Sequence, residues 1–186
     1  QKLLADDDAA QAEVDQWIQE NRKFAEKGAG VPEAELRQRI EVRLAPVRKA
    51  YEDFLQRHPN HVRALLAYGS LLNDLQDDIG AAMQWEKARE LDPKNPAAWN
   101  NLANHYTLRG PVRKAFEYFG KAGELKPNEP VYLRNFGNAI LNFRKEAAEF
   151  YSLGEQAVLE KAQGLLRRAQ KLDPANFPLA TEIAQT

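Results

Sequence analysis

Asparagine and arginine are the residues of this chain whose types and spacing could do chemistry. Asn100 and Asn104 stand four apart in one segment, and Arg134 and Asn138 stand four apart in a later one. An asparagine amide offers both a donor and an acceptor, so a row of amides facing one way can hold an extended peptide by its backbone whatever its sequence. The neighbouring Asn101 and Asn135 add two more amides, and Arg63 and Asn73 stand in an earlier segment. The same amides have a structural alternative, in which they cap local backbone or bridge adjacent helices.

Other chemistry is thin. His58 and His61 flank Pro59 in a loop and His105 lies well apart, so a pair of loop histidines has no third ligand and reads as ordinary polar side chains rather than as a metal site. Asp77 and Asp78 suit the start of a helix better than an acid and base pair. No nucleophile elbow, phosphate loop or paired-acid motif occurs. The reading is of a chain that is not an enzyme and takes no metal or cofactor.

The elements that must position these side chains are periodic. Pro59, Pro93 and Pro127 are 34 residues apart, each closing an amphipathic stretch, and Leu172-Asp173-Pro174 repeats the phrase after a displacement. A fixed period of this length marks a solenoid, whose units bury their apolar faces against their neighbours. Leu65, Tyr68, Gly69, Leu72, Ala81, Trp85, Ala88 and Pro93 return 34 residues later as Trp99, Leu102, Ala103, Tyr106, Ala115, Phe119, Ala122 and Pro127. Large residues three and four apart make one helical stripe, while the small ones let backbones approach.

This register resembles the tetratricopeptide repeat. The resemblance implies an all-α, right-handed superhelical solenoid of antiparallel helix pairs with an N-terminal helical cap. The expected division is 1–61 for N-terminal helices and a degenerate capping repeat, then 62–95, 96–129 and 130–176 for three repeats, and 177–186 for the start of a capping helix or a truncated further repeat. The third unit opens with Leu133, Phe136, Gly137 and Ile140, but Pro127 and Pro174 are 47 residues apart, 13 more than the period. The insertion has helical spacing, so the expectation is that both helices of the unit lengthen into a hairpin projecting roughly 10 Å, with Phe143, Phe150 and Tyr151 as a possible second contact surface.

Local punctuation predicts the helix ends. Asn60, Asn95 and Asn128 are the expected caps before Val62, Pro96 and Pro130. The acidic run Asp6-Asp7-Asp8 is expected at the start of a first helix carrying Val14, Trp17, Ile18 and Phe24. Gly28-Ala29-Gly30 ends it, Pro32 starts the next, and Pro46 is expected to kink or break that second helix.

In such a fold the first helix of each pair lines the concave face. The inward places hold Arg63 and Asn73 in the first unit, Asn100 and Asn104 in the second, and Arg134 and Asn138 in the third, an asparagine-rich groove for a protein or extended peptide. The family's carboxylate clamp for chaperone C-termini is not reproduced, because Leu66 and Ser70 stand where it wants lysine and asparagine. The function expected is a non-catalytic binding scaffold, with a tethering or oligomerisation module of a larger enzyme or secretion complex as the alternative.

Composition fits. The 186 residues are 44% hydrophobic and 28% charged with a net charge of −1, which disfavours nucleic acid as a partner. No apolar run approaches the roughly 20 residues of a membrane span. The absence of cysteine leaves the redox compartment open, and a chain that begins at Gln1 with Met83 as its sole methionine reads as processed, either cytoplasmic or exported with a targeting signal removed.

Overall fold

The structure is a computed structural model that describes residues 2–26 and 28–175. The expectation for 177–186 lies outside the described residues. All the regular structure among the described residues is helical. The chain divides into two compact units, Gln1–Gln84 and Trp85–Thr186, the division falling within one helix.

The first unit holds α1 (Lys2–Ala25), α2 (Glu33–Arg57), α3 (Val62–Asp74) and the start of α4 (Asp78–Leu91). α1 begins upstream of the acidic run, so Asp6-Asp7-Asp8 is not its N-terminus. The good helix formers Lys2, Leu3, Leu4 and Ala5 carry the helix back, and Asp7 is instead buried against α2, where the Tyr51 hydroxyl donates to it. Gly28, at φ +74°, ends the segment in the left-handed region that favours glycine. The Asn21 side chain then ties the loop by accepting from the Val31 N–H at 2.7 Å.

α2 continues through Pro46, so the expected break does not occur: Leu44 before the ring and Val47 and Tyr51 after it are all buried, and that burial favours one continuous helix although proline removes a backbone donor. Tyr51 stacks on Tyr68 of α3 with ring centroids 5.5 Å apart. The cap of α3 is His61 rather than Asn60: its Nδ1 accepts from the Ala64 N–H at 3.1 Å. Asp77 does serve a helix start, accepting from the Gly80 N–H at 2.9 Å.

The second unit continues α4 and adds α5 (Pro96–Arg109), α6 (Val112–Leu125), α7 (Pro130–Asn142), α8 (Arg144–Tyr151) and α9 (Glu155–Leu172). Its core joins Ala103, Ala115, Phe116, Phe119, Ile140, Val158 and Ala162, every one of them buried. Asn95 caps α5 as expected, accepting from the Ala97 N–H, with Pro96 in the first turn. Asn128 does not cap α7; Glu129 stands at the cap without a side-chain bond, and the Asn128 carbonyl is taken by Arg168 at 2.6 Å. Gly137 is where α7 meets α9: a Cβ there would lie 2.8 Å from Cγ of Leu166 and 3.2 Å from the Ala162 carbonyl oxygen.

The insertion does not form the expected projecting hairpin. α7 stops at Asn142, Phe143 leaves helical geometry at φ −126° and ψ 50°, and α8 starts as a separate short helix. Burial explains the break. A straight continuation of α7 would carry the apolar side chains of the insertion away from the core, whereas the turn at Phe143 lets α8 fold back on α6 and α9. Ala147 is thereby buried in the core, with Phe143, Phe150 and Tyr151 packed around it. Ser152, at φ 54°, closes α8 in the left-handed region.

Candidate peptide-binding surfaces

In the second unit the proposed groove residues come from α5 and α7, which lie side by side. Asn100 is only 4% exposed, and its carbonyl oxygen accepts from Nδ2 of Asn135 at 3.2 Å. That amide is a tie between the two helices, the structural alternative of the sequence reading. Asn101 is engaged in the same way: the amide orientation that satisfies both of its ends accepts from the Trp85 indole N–H and donates to the Ala97 carbonyl, each at 3.3 Å.

Asn104, Arg134 and Asn138 are half-buried on the same two helices. The Asn104 amide and the Arg134 guanidinium have no hydrogen-bond or ion-pair partner among the described residues, although both are partly shielded from water. A half-buried cation next to amides can take a peptide carbonyl or a carboxylate, and the shielding strengthens that contact relative to a fully solvated one.

In the first unit Arg63 and Asn73 are exposed on α3. Asn73 supports the carboxylate of Asp74, whose pKa is raised by desolvation first and by the like charges of Asp7 and Asp15. Ser70 turns inward on its own helix, its hydroxyl donating to the Leu66 carbonyl at 3.2 Å.

Phe143, Phe150 and Tyr151, the proposed second contact, are half-buried. Phe150 and Tyr151 lie 5.6 and 6.0 Å from the Phe116 ring, and cations cap both, Arg113 over Phe150 at 5.6 Å and Lys161 over Tyr151 at 4.4 Å. Burial holds the Tyr151 phenol well above its ordinary pKa. Their packing accounts for most of their surface and serves to hold α8 down. The histidines are likewise absorbed locally: the rings of His58 and His61 lie 4.7 and 5.2 Å from Phe54, and His105 contacts Tyr106.

Sequence reasoning missed a cluster of charged and aromatic side chains on α4, α5 and α6. The Tyr106 hydroxyl donates to Glu86 at 3.0 Å and accepts from the Lys114 ammonium at 2.7 Å. The same ammonium sits 4.1 Å from the Tyr106 ring centroid, and Arg89 covers Trp99 at 5.2 Å. Its bond to Tyr106 raises the Lys114 pKa. The 34-residue register identifies Tyr106 and Trp99 but says nothing about Glu86, Arg89 or Lys114, which fall between its marked positions.

No protein-family model matches the chain. Over 102 residues, 54% of its length, the chain is 31% identical to the human protein O-mannosyl-transferase TMTC3, of which the match covers 11%. Among solved structures, one crystal structure of MamA superposes with a TM-score of 0.60 at 16% identity, covering 82% of each chain. A second crystal structure of MamA gives 0.58 at 16% identity, covering 91% of this chain and 78% of the other. At that identity the likeness is one of fold, an all-α repeat of helix pairs.

Proposed function

We propose that this chain, a tetratricopeptide-repeat protein, is a non-catalytic scaffold that holds an extended peptide segment of a partner protein through its asparagine- and arginine-bearing helices. The observation that carries the reading is that Asn104 on α5 and Arg134 on α7 are both half-buried and both without a hydrogen-bond or ion-pair partner among the described residues. Polar groups in partial shelter gain most from a ligand that completes their hydrogen bonds. Asn104 would bond the peptide backbone, Arg134 a carbonyl or carboxylate, and Asn138 extends the contact along α7. Asn100 supports from behind by fixing the spacing of α5 and α7, and Arg63 and Asn73, exposed on α3 of the first unit, are candidate contacts of their own. The net charge of −1 speaks against nucleic acid as the ligand.

The test is selection of peptides from a random library on the full chain, followed by titration of the selected peptides. Joint replacement of Asn104 and Asn138 by Ala is expected to weaken binding at least about tenfold with unchanged helical circular dichroism. Affinity that survives both this change and Arg134→Ala removes the groove from the proposal.

A second reading, a repeat segment that tethers or assembles a longer enzyme, is favoured by the match to part of a much longer protein carrying a transferase name. Its test is whether this chain, added separately, binds a catalytic domain encoded alongside it.

A further inference from the structure

We propose that one side of the α1–α2 pair is a docking groove for a single amphipathic helix of a partner protein, with an apolar stripe and a carboxylate placed to meet Arg39. Three adjoining hollows line this seam. The central one, about 510 Å³, is walled by Trp17, Arg39, Val42 and Pro46; it shares Trp17 with the hollow that reaches Phe24 and Pro46 with the one that reaches Leu3. From Leu3 to Phe24 along α1, at 1.5 Å per residue, the seam runs about 30 Å, the length of a helix of about 20 residues.

Its apolar side chains are presented to solvent, Val42 at 69% exposure and Phe24 at 55%. Exposed apolar side chains set among polar ones along one seam can be covered by a partner's apolar stripe. Ridges of a third helix fit the groove between two packed helices.

The charges select the occupant. Arg43 already answers Glu13 at 2.6 Å. Asp6 and Glu20 stand toward the two ends of the seam, whereas in its middle Arg39 stacks on Trp17 at 5.5 Å and has no carboxylate or other hydrogen-bond partner among the described residues, so the central hollow carries one cation without a counter-charge bound to it. A second copy of the chain fits less well. A two-fold contact through the groove centre would bring each Arg39 close to its symmetry mate, like charge against like.

The experiment uses the full chain and two dye-labelled synthetic peptides of about 18 residues, one with a leucine stripe and glutamates, the other identical but with lysine at each glutamate. Fluorescence anisotropy should show the acidic peptide binding at least about tenfold more tightly than its basic twin. Arg39→Glu should invert that preference, Arg39→Gln should level it, and Val42→Glu should abolish binding of both. Arg39 and Val42 are exposed, and unchanged circular dichroism verifies folding of each variant. Replacing Asn104 and Arg134 by Ala should leave the interaction intact, which separates this groove from the peptide-binding one. Equal affinity for the twins, an unchanged preference in Arg39→Glu, or retained binding in Val42→Glu overturns the proposal. So does concentration-dependent self-association that Val42→Glu removes while neither peptide binds, since the occupant would then be a second copy.

Discussion

Asp7 is a carboxyl group placed where solvent barely reaches it, with Oδ1 unpaired and Oδ2 accepting from the Tyr51 hydroxyl. Burial raises its pKa, outweighing the bonds from Tyr51 and Gln11, and the neighbouring Asp8 adds to the rise. The folded state therefore holds a proton more tightly than the unfolded one in the window from the ordinary carboxyl value, about 3.9, up to the raised value. Stability is expected to increase as pH falls from neutrality through that window. Asp7→Asn keeps an acceptor for Tyr51 without the buried charge, so it should stabilise the protein by about 1 kcal/mol at neutral pH and by much less at acid pH. Urea denaturation at several pH values checks both, and an Asp7→Asn protein with the pH dependence of the parent would show that the titration lies elsewhere. Tyr51 gives the opposite limb: burial first and the bond to Asp7 next raise its pKa, so the folded state keeps a phenol proton that the unfolded state loses above about pH 10. Stability should fall there too. None of this was legible in the sequence, where Asp7 reads as one of three acids at a helix start. Its burial depends on a partner 44 residues away, beyond the reach of any local pattern.

Helices and their contacts were much more legible, because the signal for them is periodic. Ala115, Ala122, Leu102 and Ala103 sit at marked places of the register and are all fully buried. Ala115→Leu should overpack the core beside Phe116 and Phe119 and cost about 1 to 3 kcal/mol. Gly137→Ala gains helix propensity of about 1 kcal/mol but drives a Cβ into the body of Leu166, so a net loss of stability is expected. A variant as stable as the parent would mean that α7 and α9 can move apart at little cost. Trp99, marked by the same register, is only half-buried, its indole N–H donating to the Pro93 carbonyl at 2.8 Å. The insertion was misread for a physical reason: helical spacing reports helicity but not direction, and the turn at Phe143 follows from where apolar surface can be buried. Since α8 covers Phe116 and Val158, deleting residues 143–155 should lower the melting temperature by several degrees while leaving the remaining helices folded. A melting curve unchanged by the deletion would make α8 an appendage.

At the scale of the molecule, each unit has a core built from helices close in sequence, so stability is distributed along the chain instead of pooled at one centre. The cores differ in quality. In the second unit Phe116, Phe119, Ile140 and Leu166 are fully buried among alanines and a glycine that allow close approach. In the first, Leu44, Tyr51 and Leu65 are as deeply buried, but α1 contributes only Val14, Ala10 and the charged Asp7 to the interior and keeps Ile18 and Phe24 in water. Native-state opening free energies follow buried apolar contact, and a helix that buries little while sheltering an unpaired carboxylate oxygen opens first. Hydrogen exchange is therefore expected to give the slowest amides in α5, α6, α7 and α9 of the second unit and in α2 and α3 of the first, with α1 exchanging about a hundredfold faster or more. An amphipathic helix seated along α1 and α2 would bury the apolar side chains that α1 leaves in solvent, and mass action would then slow exchange in α1 in proportion to the ligand's occupancy. Protection of α1 equal to that of α2 in the isolated chain would overturn this ordering, because the burial of Val14, Ala10 and Leu44 would then suffice to hold the helix without a partner.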